Sequence, residues 1–158
     1  MSRMSGLDAL LENLDRAYNR RSWHGTNLRD SVRGLTSSQL VWRPARGRHN
    51  IWEIVVHAAY WKYVVWRRIT GAKPGSFPLA GSNFFPRPAK GVRWKDDLAL
   101  LERTHRSLRN AIAKLPPSTL RRRAAGSKDT NLHMIAGVAA HDLYHAGQIQ
   151  LLKRLQRR

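Results

Sequence analysis

A chain of 158 residues is long enough to bury one hydrophobic core without covalent staples, so a single domain is expected. It contains no cysteine, which excludes disulfides, iron–sulfur clusters and thiolate zinc sites. Its 29 Lys and Arg against 10 Asp and Glu give a formal charge of +19, an excess that attracts polyanions and makes non-specific nucleic-acid binding an expectation from charge alone.

The first predicted helix follows Ser5, with Asp8 three residues on as in a capping box, and runs to about Arg20 with Leu7, Leu10, Leu11 and Leu14 on one side. This stretch lacks the continuous apolar core and cleavage site of a secretory signal. No apolar run in the chain approaches the roughly 18 residues of a membrane span. No membrane partner is predicted, and the expected setting is cytoplasmic. Beyond the break around Gly25, Thr26 is placed to cap a short helix reaching about Gly34, and Thr36 with Gln39 forms another capping box ahead of Leu40, closed by Pro44.

Asn50 followed by Glu53 marks the start of a long helix that ends at Gly71, with Ile54, His57, Trp61, Val64 and Arg68 on one stripe. From Lys73 to Gly91 there are prolines, glycines and the aromatics Phe77, Phe84 and Phe85 but no periodicity, which predicts a long packed loop. Another helix is predicted over Trp94 to Lys114, where Leu98, Leu101, His105, Leu108, Ile112 and Leu115 step by three and four until Pro116 and Pro117 end it. A basic linker through Ser127 leads to the last helix, which starts near Asp129 or Thr130 and runs to the C-terminus. Its inward stripe reads Met134, Val138, His141, His145, Gln148 and Leu152. No strand alternation intervenes, so the fold class predicted is all-α: an antiparallel four-helix bundle with short extra helices and one long loop.

His141 and His145 are four residues apart and therefore project from the same side of their helix, while His57 lies on the apolar stripe of another. Three protein ligands leave a metal one open position. A lone buried histidine is most often a hydrogen-bonded core residue. A core-face pair joined by a further core-face histidine and by Gln148 points instead to one divalent ion. The pair alone is a weak pattern, and without the glutamate of HExxH the chain is no zincin. Neutral imidazoles leave the full double charge on the ion, which would acidify a bound water toward a pKa of about 7 and acidify a bound thiol likewise.

Weaker candidates surround these three. Glu53 could orient the His57 ring or act as a base, although the cap alone explains it, and Gln148 could bond a ligand of the ion; these are the tentative catalytic residues. His24 and His49, just ahead of helix starts, either rim a pocket or cap. With Trp61, Phe84 and Phe85 they make up the substrate-pocket candidates. Asp142 is expected beside the site in a surface salt bridge, His105 in the core with a hydrogen bond, and Trp23, Trp52, Trp61 and Trp66 in packing.

RPARGRHNIWEIVVHAAYWKY, a central helix and AAHDLYHAGQIQLLKRL in combination resemble the DinB-like superfamily of metal-binding four-helix bundles over nearly the whole chain. The resemblance implies that His57, His141 and His145 hold one divalent ion, zinc or nickel, with water completing the shell, and it implies a homodimer. Relatives in that superfamily include metal-dependent hydrolases and transferases that use low-molecular-weight thiols such as bacillithiol or mycothiol. The leading expectation is a metal-dependent enzyme, hydrolase or thiol S-transferase, that activates water or a thiol against a small-molecule substrate. The alternative is a non-catalytic metal-binding or stress-related protein whose basic surface holds a polyanion. A dedicated nucleic-acid role is disfavoured, because the basic residues are spread along the chain without a DNA-binding signature.

Overall fold

The structure, a computed structural model, describes residues 5–157. Six α-helices and no strand occur among them: α1 (Gly6–Tyr18), α2 (Leu28–Ser31), α3 (Ser37–Val41), α4 (Ile51–Thr70), α5 (Trp94–Ala113) and α6 (Asn131–Leu155), with a 3₁₀ turn at Pro117–Thr119. None of these helices is long and apolar enough to cross a membrane. Capping boxes at Ser5/Asp8, Thr36/Gln39 and Asn50/Glu53 start α1, α3 and α4, each supplying acceptors for amides that have no partner inside the helix. Gly71, at φ 71°, stops α4 in the left-handed conformation that a side chain would disfavour. The cap of α2 is Asn27 rather than Thr26. The Asn27 side chain accepts the Asp30 amide and also donates to the Arg20 carbonyl, tying the helix start back to the end of α1 in a way a threonine could not.

The four long helices form a ring in which α4 touches α5 and α6, and α1 touches the same two. Directions follow from the contacts. Trp52 donates to Asp97 and Lys62 lies against His105, so α4 and α5 run parallel. Trp61 stands against His141, and the Arg68 carbonyl accepts the amide of Ala125 just ahead of α6, so α6 runs opposite to α4. Tyr18 stacks on His105 and Asp15 binds Arg109, so α1 opposes α5 and is parallel to α6. The expected antiparallel order between sequence neighbours therefore fails at α4 and α5. A parallel neighbour requires the chain to return the full length of a 20-residue helix, about 30 Å, and the long segment after α4 makes that return.

The core has two hydrophobic clusters. One gathers Ile51 to Ala59 of α4, Leu100 and Leu101 of α5, and Ile149 and Leu152 of α6. The other gathers Val65 and Ile69 of α4, Leu108 and Ile112 of α5, and Ile135 to Ala139 of α6, with Leu7 and Leu14 of α1. Between them lies a polar layer made of one residue from each long helix: Tyr18, Lys62, His105 and Asp142.

That layer corrects two expectations. Asp142 is fully buried and paired with Lys62, not at the surface. The buried stripe of α6 accordingly runs through Ile135, Val138, Asp142, His145, Ile149 and Leu152, leaving Met134, His141 and Gln148 half-buried on its flank. Trp23 is also not packed. It stands 97 % exposed in the turn closed by the Ser22–Gly25 bridge, at the edge of a groove between α1 and α6.

Candidate metal centre

His57 comes from the second turn of α4, and His141 and His145 from consecutive turns of α6, so the antiparallel pairing of two helices brings the rings together. Nε2 of His141 lies 3.0 Å from Nε2 of His57 and 2.9 Å from Nε2 of His145. One donor atom from each of the three residues falls within 4.8 Å of the others. Tetrahedral coordination at 2.0–2.1 Å places nitrogens roughly 3.3 Å apart, close to this spacing.

The opposite ring nitrogens decide what these atoms can do. His57 donates its Nδ1–H to the Asn83 carbonyl at 2.9 Å, and His145 donates its Nδ1–H to Gln148 Oε1 at 2.7 Å. Both rings therefore aim a bare Nε2 lone pair at the same point, and His141 Nε2 can donate a proton to only one of them. A cation at the centre satisfies all three. Burial pushes the pKa of His141 down to about 3, helped by the neighbouring imidazoles and Lys62. It pushes His145 down to about 4 against the opposing Gln148 bond, and lowers His57 against the opposing Asn83 carbonyl. All three are neutral at pH 7, the state a metal requires.

The trio forms part of the wall of a cleft of about 480 Å³ that is also lined by Arg48, His49, Ile54, Phe84, Tyr144, Gln148, Leu151 and Leu152. Phe84 is clamped between two imidazoles, with ring centroids 3.6 Å from His49 and 4.0 Å from His57 and planes within 8°. The loop that carries Phe84 is fixed at several points. Phe77 and Phe85 pack on Tyr60, Asn83 accepts the Trp61 indole N–H at 3.0 Å, and the buried Arg87 holds Asp97 with two hydrogen bonds. Asn83 adopts φ 67°, a left-handed conformation that asparagine tolerates better than most residues, and this turns its carbonyl onto His57.

Glu53, only 4 % exposed, does not hydrogen-bond to His57. Its carboxylate accepts two hydrogen bonds from Arg43 at 2.8 and 2.5 Å, one from His49 Nδ1 at 3.1 Å, and backbone amides of Asn50 and Arg87. Burial pushes its pKa up, but these donors outweigh burial and hold it at about 2. Glu53 thus orients His49, and His49 is the ring that enters the cleft.

The remaining candidates separate. Gln148 and Phe84 meet at the trio, and Trp61 stands on its far side, against His141 and Met134. Phe85 is 4 % exposed in the core, behind the wall and not on it. His24 is exposed beside Trp23 in a different groove, between α1 and α6. Asn83, Arg43 and Lys62 were missed by sequence reasoning. Only the left-handed preference of Asn83 left a trace, since Arg43 is one basic residue among many and Lys62 sits where a charge is not expected.

Comparison with known families gives a match to the DinB superfamily over residues 7–149. No curated protein and no solved structure matches.

Proposed function

The chain belongs to the DinB superfamily, and from that premise we propose that it is a metal-dependent enzyme holding one divalent ion, zinc or nickel, on His57, His141 and His145. The observation that carries this reading is the convergence of three neutral Nε2 atoms, two of them fixed as lone pairs by Asn83 and Gln148. A divalent ion there would supply Lewis acidity, lowering the pKa of a water or low-molecular-weight thiol so that it attacks an electrophile. His49 lines the same cleft with its Nδ1–H committed to Glu53 and its Nε2 free, and because Phe84 lies between it and His57, a proton released at the trio would reach it through water in the cleft. Ile54, Phe84, Leu151 and Leu152 offer apolar walls, so the substrate is a small and largely apolar molecule with one electrophilic centre.

A homodimer accompanies this reading. Every copy carries the same positive excess, so an uncharged face brings copies together at least electrostatic cost, and Leu132, Ala136 and Ala140 form such an exposed line along α6 that leads to Tyr144 and Leu151 at the cleft. The non-catalytic alternative draws on the +19 charge, with a polyanion as partner. The deciding experiment is metal analysis of the purified chain, followed by hydrolysis and thiol-transfer panels with and without a chelator. The enzyme reading expects about one ion per chain, loss of the ion in His145→Ala, and turnover that disappears on chelation and falls in His49→Gln. No ion at stoichiometric level, or no turnover across both panels, would count against it.

A further inference from the structure

The polar layer across the middle of the bundle is not used by the chemistry above, and its make-up is costly. Lys62 and Asp142 are both 0 % exposed and form an ion pair. Lys62 also donates to His105 Nδ1 at 3.4 Å and stands 4.8 Å above the Tyr18 ring, which stacks on His105 at 3.6 Å. Among the described residues, Asp142 Oδ1 and the Tyr18 hydroxyl have no hydrogen-bond partner. A buried ion pair with an unsatisfied oxygen gives little net stability, and apolar side chains of similar volume commonly do as well or better. What such a pair does provide is register, as a single polar residue does in a coiled-coil core.

Register matters here because of where the pair sits. Asp142 adjoins His141 on α6, and Lys62 is five residues from His57 on α4, about 7.5 Å along the helix axis. Outside the histidine trio, Lys62 to Asp142 is the only side-chain hydrogen bond between α4 and α6 among the described residues. The remaining α4–α6 contacts belong to the hydrophobic clusters above and below, and hydrophobic burial is non-directional: it tolerates sliding that a metal site does not. Ligand distances must hold within about 0.2 Å, whereas a slip of one residue moves a helix by about 1.5 Å and turns it by about 100°.

We propose that Lys62 and Asp142 are a positioning pair whose role is to fix the register of α4 against α6, so that His57 meets His141 and His145. The inference rests on the metal-site reading, and its test separates the two. Lys62→Met and Asp142→Val are introduced together, and three quantities are read: the melting temperature, Zn²⁺ affinity by competition with a chelating dye, and, in the metal-free protein, nuclear Overhauser contacts between the rings of His57 and His145, whose centroids are 4.7 Å apart. The double variant is expected to melt within about 5 °C of the parent, to bind Zn²⁺ at least about tenfold more weakly, and to lose the ring contacts. A folded double variant with parental affinity and intact ring contacts would overturn the proposal. So would a double variant that no longer folds, since the pair would then be a stability element. If the parent itself takes up no Zn²⁺, the metal reading fails, while the ring contacts in the metal-free protein still decide whether the pair sets the register.

Discussion

Replacing Glu53 with glutamine removes one negative charge while keeping an acceptor at the third position of α4, where glutamine also completes a capping box. What changes is the ion pair with Arg43 and the charge-assisted bond from His49. Folding lowers the Glu53 pKa from 4.5 to about 2, which corresponds to roughly 3 kcal/mol at about 1.4 kcal/mol per unit. The Arg43 side chain is 38 % exposed, so solvent screening reduces the expected loss to about 2 kcal/mol at pH 7. The sign with pH follows from the depressed value. The contribution is complete above pH 4.5 and is lost as pH falls toward 2, because only the unfolded chain gains the proton in that interval. Urea unfolding of the chelator-treated proteins, followed by tryptophan fluorescence, should show a gap between parent and Glu53→Gln of about 2 kcal/mol at pH 7 that narrows by about 1 kcal/mol between pH 5 and pH 3.5. A gap that is constant or widens across that range would refute the argument that Glu53 acts as a buried, paired carboxylate.

Acid should also act through the histidines. In the metal-free protein His145 titrates near 4 and His141 near 3 instead of near 6.5, so the unfolded chain binds their protons first, and stability should fall from about pH 6.5 downward, by up to about 1.4 kcal/mol per pH unit for each site. Denaturation midpoints that are flat between pH 6.5 and 5 would contradict the depressed values. Gln148→Leu frees the His145 tautomer that Gln148 now fixes. It should weaken Zn²⁺ binding about 10- to 100-fold with little change in melting temperature, and equal affinity in a titration would remove Gln148 from the site. Binding to a DNA duplex, if it reflects only the +19 charge, should fall steeply between low and physiological salt and be the same in His141→Ala; a salt-resistant, sequence-selective complex would favour the polyanion-binding reading.

The helices were legible because their ends are written in short-range chemistry: Asn50 with Glu53, Thr36 with Gln39, Gly71 after α4. The three histidines stood out for a similar reason, since imidazoles on apolar stripes at helical spacing break a simple pattern. Asp142 misled. A carboxylate is ordinarily placed outside, and that assumption turned the inward stripe of α6 toward Met134, His141 and Gln148, because the cation that permits burial, Lys62, lies 80 positions away. The Glu53–His49 bond was equally out of reach. Spacing placed His57 one turn from Glu53, but the carboxylate turned instead to Arg43 and His49, which arrive from the preceding segment. Contacts between segments are set by the fold, and a single sequence carries no direct record of them.

The segment between α4 and α5 serves topology and site together, and this constrains how the protein can vary. Surface loops usually accept insertions and deletions freely, because only their ends are held. Here an extended chain of about nine residues would suffice to return along α4, and the surplus is not spare length. Phe77 and Phe85 are anchored on Tyr60, Asn83 and Phe84 on His57, and Arg87 on Asp97, so a one-residue deletion between 77 and 87 shifts the Asn83 carbonyl off His57 and Phe84 out from between the two rings. Length changes are expected to be tolerated best in the exposed stretch near Lys90, since even Gly75 has its amide held by the Tyr63 hydroxyl at 3.2 Å. Under the proposed enzyme reading, a new substrate preference would therefore be reached by exchanging side chains on a wall of fixed length, not by lengthening or trimming it.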